Sequence, residues 1–362
     1  MSVTESDIAR FQEDGAVCLR NVVSAEWLEF LRGASRELRA SPGPMAEEML
    51  RAGAAAGEEE QEEEEEGSAS PYFTDLEMAQ RLPPFARFAR HGPCAALAGQ
   101  LMQSSQACFL YDQYFEQRFG QRPEQQSGQR PEQQSGQRPE QQSGQRPEQQ
   151  SGQRSGPRLA ADAPATPWHQ DQPYWQVAGA DVASVWVPLD PTPAGAAVHF
   201  IAGSHRWREH APFHFGSGAQ YAGTHLPPLP DVSGGVRAGR LRVLSWPDCA
   251  PGDAVVFSAM AVHGQDARLA AAQRAAAGSG VAAAAAEGAP PLGAAAAFRR
   301  LATRFTGDDA RYRLRDGEAR NVVPSEHFPC GLAEGARMEC ARFPLVWTAP
   351  RRQQQQQQRS VL

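Results

Sequence analysis

Thr166-Pro-Trp-His-Gln-Asp-Gln-Pro-Tyr-Trp175 is the stretch on which the reading of this chain turns. If the backbone is extended there, His169 and Asp171 project to the same side, because strand side chains alternate with a period of two. Two ligands on one strand edge need only one more imidazole to complete a two-histidine, one-carboxylate face. That face holds non-haem Fe(II) and leaves positions open for oxygen chemistry. Pro251-Gly-Asp-Ala-Val-Val-Phe-Ser-Ala-Met-Ala-Val-His-Gly264 offers the third ligand at His263. A His-x-Asp tripeptide taken alone reads more readily as a histidine beside an acid. The aromatic flank of Trp168, Tyr174 and Trp175, together with the downstream partner, moves the reading toward metal. His199, His205, His210 and His214 lack the spacing of a closed Cys/His zinc site and have no thiol beside them.

Outward from this stretch, residues 167–257 read as short strands divided by Gly and Pro. Val185–Leu189, Val198–Ile201, Leu241–Leu244 and Ala254–Phe257 are the clearest, and Pro251-Gly-Asp253 is a tight turn before the last of them. Phe298–Phe305 is a further strand. Many short strands with Gly/Pro turns predict a sandwich or jelly roll. Upstream, Ser6–Glu13 and a helix capped by Ser24 and running to about Leu38 flank a strand at Ala16–Val23. Pro71–Arg90 reads as mostly helical with a break at Pro83-Pro84. A helix at Pro93–Gln103 and a strand at Ala107–Phe115 follow.

Four segments read as low complexity. Glu58–Glu66 is nine residues, eight of them Glu; residues 121–152 are four copies of Gln-Arg-Pro-Glu-Gln-Gln-Ser-Gly; 270–297 is nearly all Ala and Gly; 353–358 is Gln only. Such segments bury too little apolar surface to offset their ordering entropy. The expectation is one domain over residues 1–350, interrupted by disordered insertions at 52–69, 121–160 and 268–297, with a disordered tail at 351–362. The net charge is −7, and the Glu run alone carries −8, so the remainder is near neutral. That argues against a nucleic-acid partner, which needs a basic stripe. No run is apolar enough for a membrane span. The six cysteines form no CxxC pair, and no secretory or peroxisomal signal is evident, so the expected location is intracellular, in the cytoplasm.

Oxygen chemistry at Fe(II) needs two further electrons, which an α-keto acid supplies. Its far carboxylate calls for a cation, ideally a bidentate guanidinium. The chain has no lysine, so the cation is an arginine. Arg299, Arg300 and Arg304 lie on the strand after His263. Alternation puts Arg300 and Arg304 on one face and Arg299 on the other.

Taken together these segments resemble the phytanoyl-CoA dioxygenase family of Fe(II)/2-oxoglutarate oxygenases. The resemblance runs through Phe11–Val23, Leu110–Phe115, Trp168–Trp175, Ser184–Asp190, Gly203–Arg206, Pro251–Gly264, Arg299–Phe305, Gly307–Tyr312 and Phe343–Trp347, in the family's order. It implies a mainly β fold with flanking helices (α+β) around a double-stranded β-helix, or jelly-roll, core. It implies Fe(II) on His169, Asp171 and His263, with 2-oxoglutarate and O2 as co-reactants. It makes Arg299 the nearest match to the family's 2-oxoglutarate arginine, with Arg300 the alternative because the register is off by one. It also places Gln113 and Trp186 against 2-oxoglutarate. The expected activity is hydroxylation of an unidentified small-molecule or acyl substrate, releasing succinate and CO2; the alternatives are a metal-binding jelly-roll scaffold without catalysis, or an interaction protein. The chain departs from the family in the 36 positions separating His263 from Arg299, and in Gln117 and Arg118 where a lysine is common.

Overall fold

The computed structural model describes residues 3–46, 72–119, 166–215, 218–279, 296–318 and 322–350. Its larger sheet runs β1 (Ala16–Leu19), β8 (Ala254–Ser258), β5 (Val182–Pro188), β10 (Ala296–Thr306), β3 (Gln106–Phe119) and β12 (Leu345–Thr348), with β2 (Tyr72–Leu76) also on β3. A smaller sheet is ordered β7 (Val243–Ser245), β6 (His199–Ile201), β9 (His263–Gly264). Every ladder in both sheets is antiparallel.

The period of two decides what each face of the larger sheet meets. On β10, Phe298 and Ala302 join Trp186, Val255 and Phe257 against Phe200 of the smaller sheet. That cluster is the inside of the jelly roll. The intervening Leu301 and Phe305 pack with Val185, Val187 and Val256 against helices on the outer face. Those helices are α1 (Glu5–Asp14), α2 (Ala25–Ala40), α3 (Pro83–His91) and α4 (Cys94–Met102). Thr4 and Asp7 close a capping box at the start of α1, and the Ser24 hydroxyl accepts from Trp27 N at the start of α2. Fully burying one such aliphatic or aromatic side chain contributes roughly 1.5–3 kcal/mol.

Three expectations need correction. Residues 72–76 form a strand rather than part of a helix. Tyr-Phe-Thr-Asp-Leu alternates, and β3 offers it an open edge, with the Thr74 hydroxyl donating to Tyr114 O. The first strand stops at Leu19 because Arg20–Val23 turn to meet the 248–253 loop, where Val22 N and Val23 N donate to Gly252 O. Ala267–Ser279, the start of the expected Ala-rich insertion, is a helix. Alanine is the best helix former, and Asp266 Oδ1 accepts from Arg268 N and Leu269 N at the helix start. Buried Ala270, and Gln273 bonded to Ser245 and to the His199 ring, dock it on the smaller sheet. The other expected insertions and the Gln-rich tail lie outside the described residues. No helix among the described residues is long and apolar enough to cross a membrane.

Candidate metal centre

His169 and His263 are joined backbone to backbone. Each N–H donates to the other's carbonyl at 2.9 Å, extending the smaller sheet by one bridge. The ring centroids are 4.2 Å apart. Gly264 permits this approach, because a Cβ there would lie 2.8 Å from the carbonyl oxygens of Thr166 and Pro167. Asp171 reaches the same centre differently from the expected strand alternation. Its backbone is helical (φ −75°, ψ −43°) and starts the 3-10 turn Gln172–Tyr174. Asp171 N and Gln172 N both donate to Ala259 O, which fixes that turn on the chain leading to His263.

Asp171 Oδ1 lies 3.5 Å from His169 Nε2 and 3.7 Å from His263 Nε2. The three donor atoms lie within 4.8 Å of one another, and all three residues are buried. Each imidazole has its other nitrogen on a backbone carbonyl: His169 Nδ1 is 2.8 Å from Pro167 O, and His263 Nδ1 is 2.9 Å from Ala261 O. A carbonyl can only accept, so each Nδ1 carries the proton and each Nε2 presents a lone pair. Two lone pairs and a carboxylate then face one another in a buried space, an arrangement that only a cation or extra protons can satisfy. Metal-ligating histidines show this same second hydrogen bond. The donor set therefore fits a divalent ion of the kind held by imidazole and carboxylate.

The electrostatics agree. Burial opposes ionisation of Asp171, but His263, His169 and Arg304 outweigh it and hold the carboxyl below its usual range. Burial, reinforced by the neighbouring His169, pushes His263 down to about 4. Ser184 Oγ donates to Asp171 Oδ2 at 3.3 Å. Phe257 and Phe200 cover the His263 ring at centroid distances of 4.8 and 5.7 Å. Gln170, between the two motif residues, is buried and donates to Arg208 O and Met260 O while accepting from His210 N. Arg315, also buried, binds the carbonyls of Gln172, Trp175 and Val177 and pairs with Glu209, which holds the loop after the motif.

The arginines separate by face. Arg299 lies outside with Asp190, whose carboxylate it grips through Nε and Nη2 at 2.7 Å each. It is not brought to the cluster. Arg300 and Arg304 point inward. Arg304 sits opposite Ser184 and Tyr111, Ala302 opposite Trp186 and Gln113, and Arg300 opposite Pro188 and Phe115. Four strand residues span about 14 Å, so Arg300 lies about that far along the inner face, half-buried at the end of the β5 ladder, with Gln113 and Trp186 halfway to it. Among the described residues the Arg300 guanidinium meets the Phe115 and Phe298 rings, the Tyr72 side chain and a backbone carbonyl rather than a carboxylate. Buried Arg304 stacks on Tyr111, donates to Gln113 Oε1 and, among the described residues, has no partner for Nε. Ser184, Phe200 and Phe257 are absent from the candidate set read from the sequence, and Arg304 entered it only as a cation on the same face as Arg300. Their signal was there as alternation: Ser184 is two residues before Trp186, and Arg304 four beyond Arg300. His199, His205, His210 and His214 go to separate partners and form no common site.

The profile of the family described as phytanoyl-CoA dioxygenase (PhyH) matches residues 11–276. The chain belongs to the phytanoyl-CoA dioxygenase family. It thereby falls within the Fe(II)/2-oxoglutarate oxygenase superfamily, and solved structures share its fold. The epimerase SnoN, in complex with Fe3+, alpha ketoglutarate and nogalamycin RO, has a TM-score of 0.55 at 16% identity, covering 95% of this chain and 98% of its own. The alpha ketoglutarate dependent carbocyclase SnoK from nogalamycin biosynthesis has a TM-score of 0.53 at 14% identity, covering 95% and 97%. EctD from S. alaskensis with 2-oxoglutarate and 5-hydroxyectoine has a TM-score of 0.51 at 16% identity, covering 93% and 87%. A comparison with curated proteins gave no match. Family and fold are thus settled, whereas the reaction differs even among these neighbours.

Proposed function

We propose that this chain is an Fe(II)- and 2-oxoglutarate-dependent dioxygenase that hydroxylates a small molecule. The observation that carries the reading is the buried meeting of two Nε2 lone pairs and one carboxylate, with both Nδ1 protons already committed to the backbone. His169, Asp171 and His263 would hold the iron. With 2-oxoglutarate and O2, bound iron supplies the oxidising chemistry, and the oxo acid is converted to succinate and CO2.

The protein's part is positioning and exclusion of water. The carbonyls of Pro167 and Ala261 keep the two imidazoles in the ligating tautomer. Ser184 orients Asp171, and Phe200 and Phe257 keep solvent from His263. Arg300 is assigned the far carboxylate of 2-oxoglutarate, because it faces inward and has no carboxylate partner among the described residues. Trp186 and Gln113 would flank the carbon chain. Arg304 adds fixed positive charge beside Asp171. Tyr174, Phe213 and Phe215 surround the His169 ring, and Phe215 is 47% exposed there. That surface suits the apolar face of a substrate. Expected features also include a single oxygenase domain and a small-molecule rather than a macromolecular partner.

The test is iron content after anaerobic reconstitution with Fe(II) and removal of excess metal. Wild type should retain one iron per chain. His169→Ala and His263→Ala, checked for folding by circular dichroism, should retain little. Equal retention in wild type and both variants would place any iron elsewhere and end this reading.

A further inference from the structure

A second cluster of ligand-type side chains lies away from the metal centre, at the edge of the larger sheet. Cys18 of β1, Cys249 of the loop before β8, and Asp253 bring two thiols and a carboxylate oxygen within 4.8 Å of one another. Asp253 is already committed. It accepts from Arg20 Nη1 at 2.9 Å and from Asn21 N and Ala250 N at 3.0 Å each. With three donors on it and an arginine beside it, the carboxylate is a poor metal ligand, and two thiols alone leave a cation under-coordinated. What remains is a pair of adjacent thiols next to a guanidinium.

We propose that Cys18 and Cys249 are a redox-active dithiol that closes to a disulfide by exchange with a small-molecule disulfide. The two sulfurs differ in environment. Cys18 is half-buried on an edge strand, within reach of a small solute, while Cys249 is buried. The hydrogen bond from Cys249 favours the Cys18 thiolate; burial works against it, Arg20 adds to it, and Asp253 and Asp248 oppose it, leaving Cys18 below the usual thiol range. The same hydrogen bond, with burial, keeps Cys249 protonated. As the more exposed of the two, Cys18 is the attacking sulfur and Cys249 the resolving one. The Cys18 thiolate attacks one sulfur of the small disulfide and expels one thiolate, leaving a mixed disulfide. Cys18 then bears no charge, so Cys249 loses its proton to solvent more readily. Its thiolate attacks Cys18 Sγ and expels the second small thiolate. Two electrons pass to the small disulfide, which leaves as two thiols.

The backbone around the pair is already held in place. Val22 N and Val23 N bind Gly252 O, Arg20 grips Asp248 and Asp253, Cys249 N binds Trp246 O, and the Thr192 hydroxyl donates to Cys249 O. These bonds tie the two segments together and hold the thiols within the 4.8 Å of the cluster. None of this depends on the iron site.

The experiment incubates the full-length protein with oxidised glutathione, blocks remaining thiols with an alkylating reagent, and digests with trypsin. Because the chain has no lysine, cleavage falls only at arginine, and the linked product joins Phe11–Arg20 to Val243–Arg268. This cross-linked pair, two hydrogens lighter than the separate peptides, should be the first disulfide to form, ahead of any at Cys94 or Cys108. Cys249→Ser should stop at a glutathione adduct on Cys18, and Cys18→Ser should give neither the link nor an adduct on Cys249. Absence of the linked pair in wild type would overturn the proposal, as would an adduct on Cys249 in Cys18→Ser at the wild-type rate.

Discussion

Exchanging Arg299 and Arg300 one at a time for Gln separates two neighbours that sequence alone leaves interchangeable. Arg300 faces the inside of the roll, about four strand residues from the level of Asp171. A guanidinium gripping a carboxylate there makes two charge-assisted hydrogen bonds, each contributing about 1.5–3 kcal/mol. Arg300→Gln should therefore lose about 3–5 kcal/mol of 2-oxoglutarate binding, or about a hundred- to a few-thousand-fold in Kd. Arg299 already has its carboxylate, Asp190, on the outer face. That pair is partly solvated, so Arg299→Gln should cost about 1 kcal/mol of folding stability and leave 2-oxoglutarate affinity within about threefold of wild type. Anaerobic calorimetric titration of 2-oxoglutarate into metal-loaded protein measures both variants. A control with 2-oxobutyrate, which lacks the far carboxylate, should bind wild type and Arg300→Gln alike. If Arg299→Gln loses the affinity and Arg300→Gln keeps it, the facing deduced from the β10 register is wrong.

Gly264→Ala should push a methyl group onto the Thr166 and Pro167 carbonyls, costing about 1–3 kcal/mol in melting experiments and weakening metal binding by parting His169 from His263; unchanged stability and iron content would contradict the close approach. Metal-free protein should lose stability on acidification. His263 is lowered from 6.5 to about 4, so the folded state binds fewer protons than the unfolded state between those values, and on the order of 3 kcal/mol should vanish as pH falls through that window. Denaturant titrations in chelator at stepped pH check this, and a flat profile would refute it. Phe215→Ala should raise the substrate KM with little change in kcat or in iron content, because its exposed ring touches His169 without ligating anything; a loss of iron instead would make it a structural support of the histidine.

Much of the centre was legible because its signals are local. The His-x-Asp motif, the Pro-Gly-Asp turn and the alternation of the last long strand each depend on neighbouring residues. Alternation even sorted Arg300 and Arg304 from Arg299. The family resemblance favoured Arg299 nonetheless, since spacing says nothing of Asp190, a partner over a hundred positions away. Asp171 meets the two histidines by an unforeseen route, because the helical turn at Gln172–Tyr174 depends on the Ala259 carbonyl, a contact across the fold. Tyr72–Leu76 misled for a similar reason, its strand existing only where β3 offers an edge. The helix Ala267–Ser279 was misread from composition: an alanine-rich run lacks a hydrophobic pattern, yet alanine's helix propensity and a few docking contacts suffice to order it.

Conversion of 2-oxoglutarate to succinate by Fe(II)-loaded protein under air, compared between wild type and Asp171→Asn, bears most directly on the proposed chemistry. The asparagine keeps the shape of the side chain while removing the negative charge that faces both Nε2 atoms. Wild type should form succinate in an iron-dependent manner even without its native substrate, at a slow uncoupled rate. Asp171→Asn should form essentially none while retaining the fold. Succinate formation by the variant at the wild-type rate, or none by iron-loaded wild type that binds 2-oxoglutarate, would contradict the assignment of this cluster as an oxygenase centre.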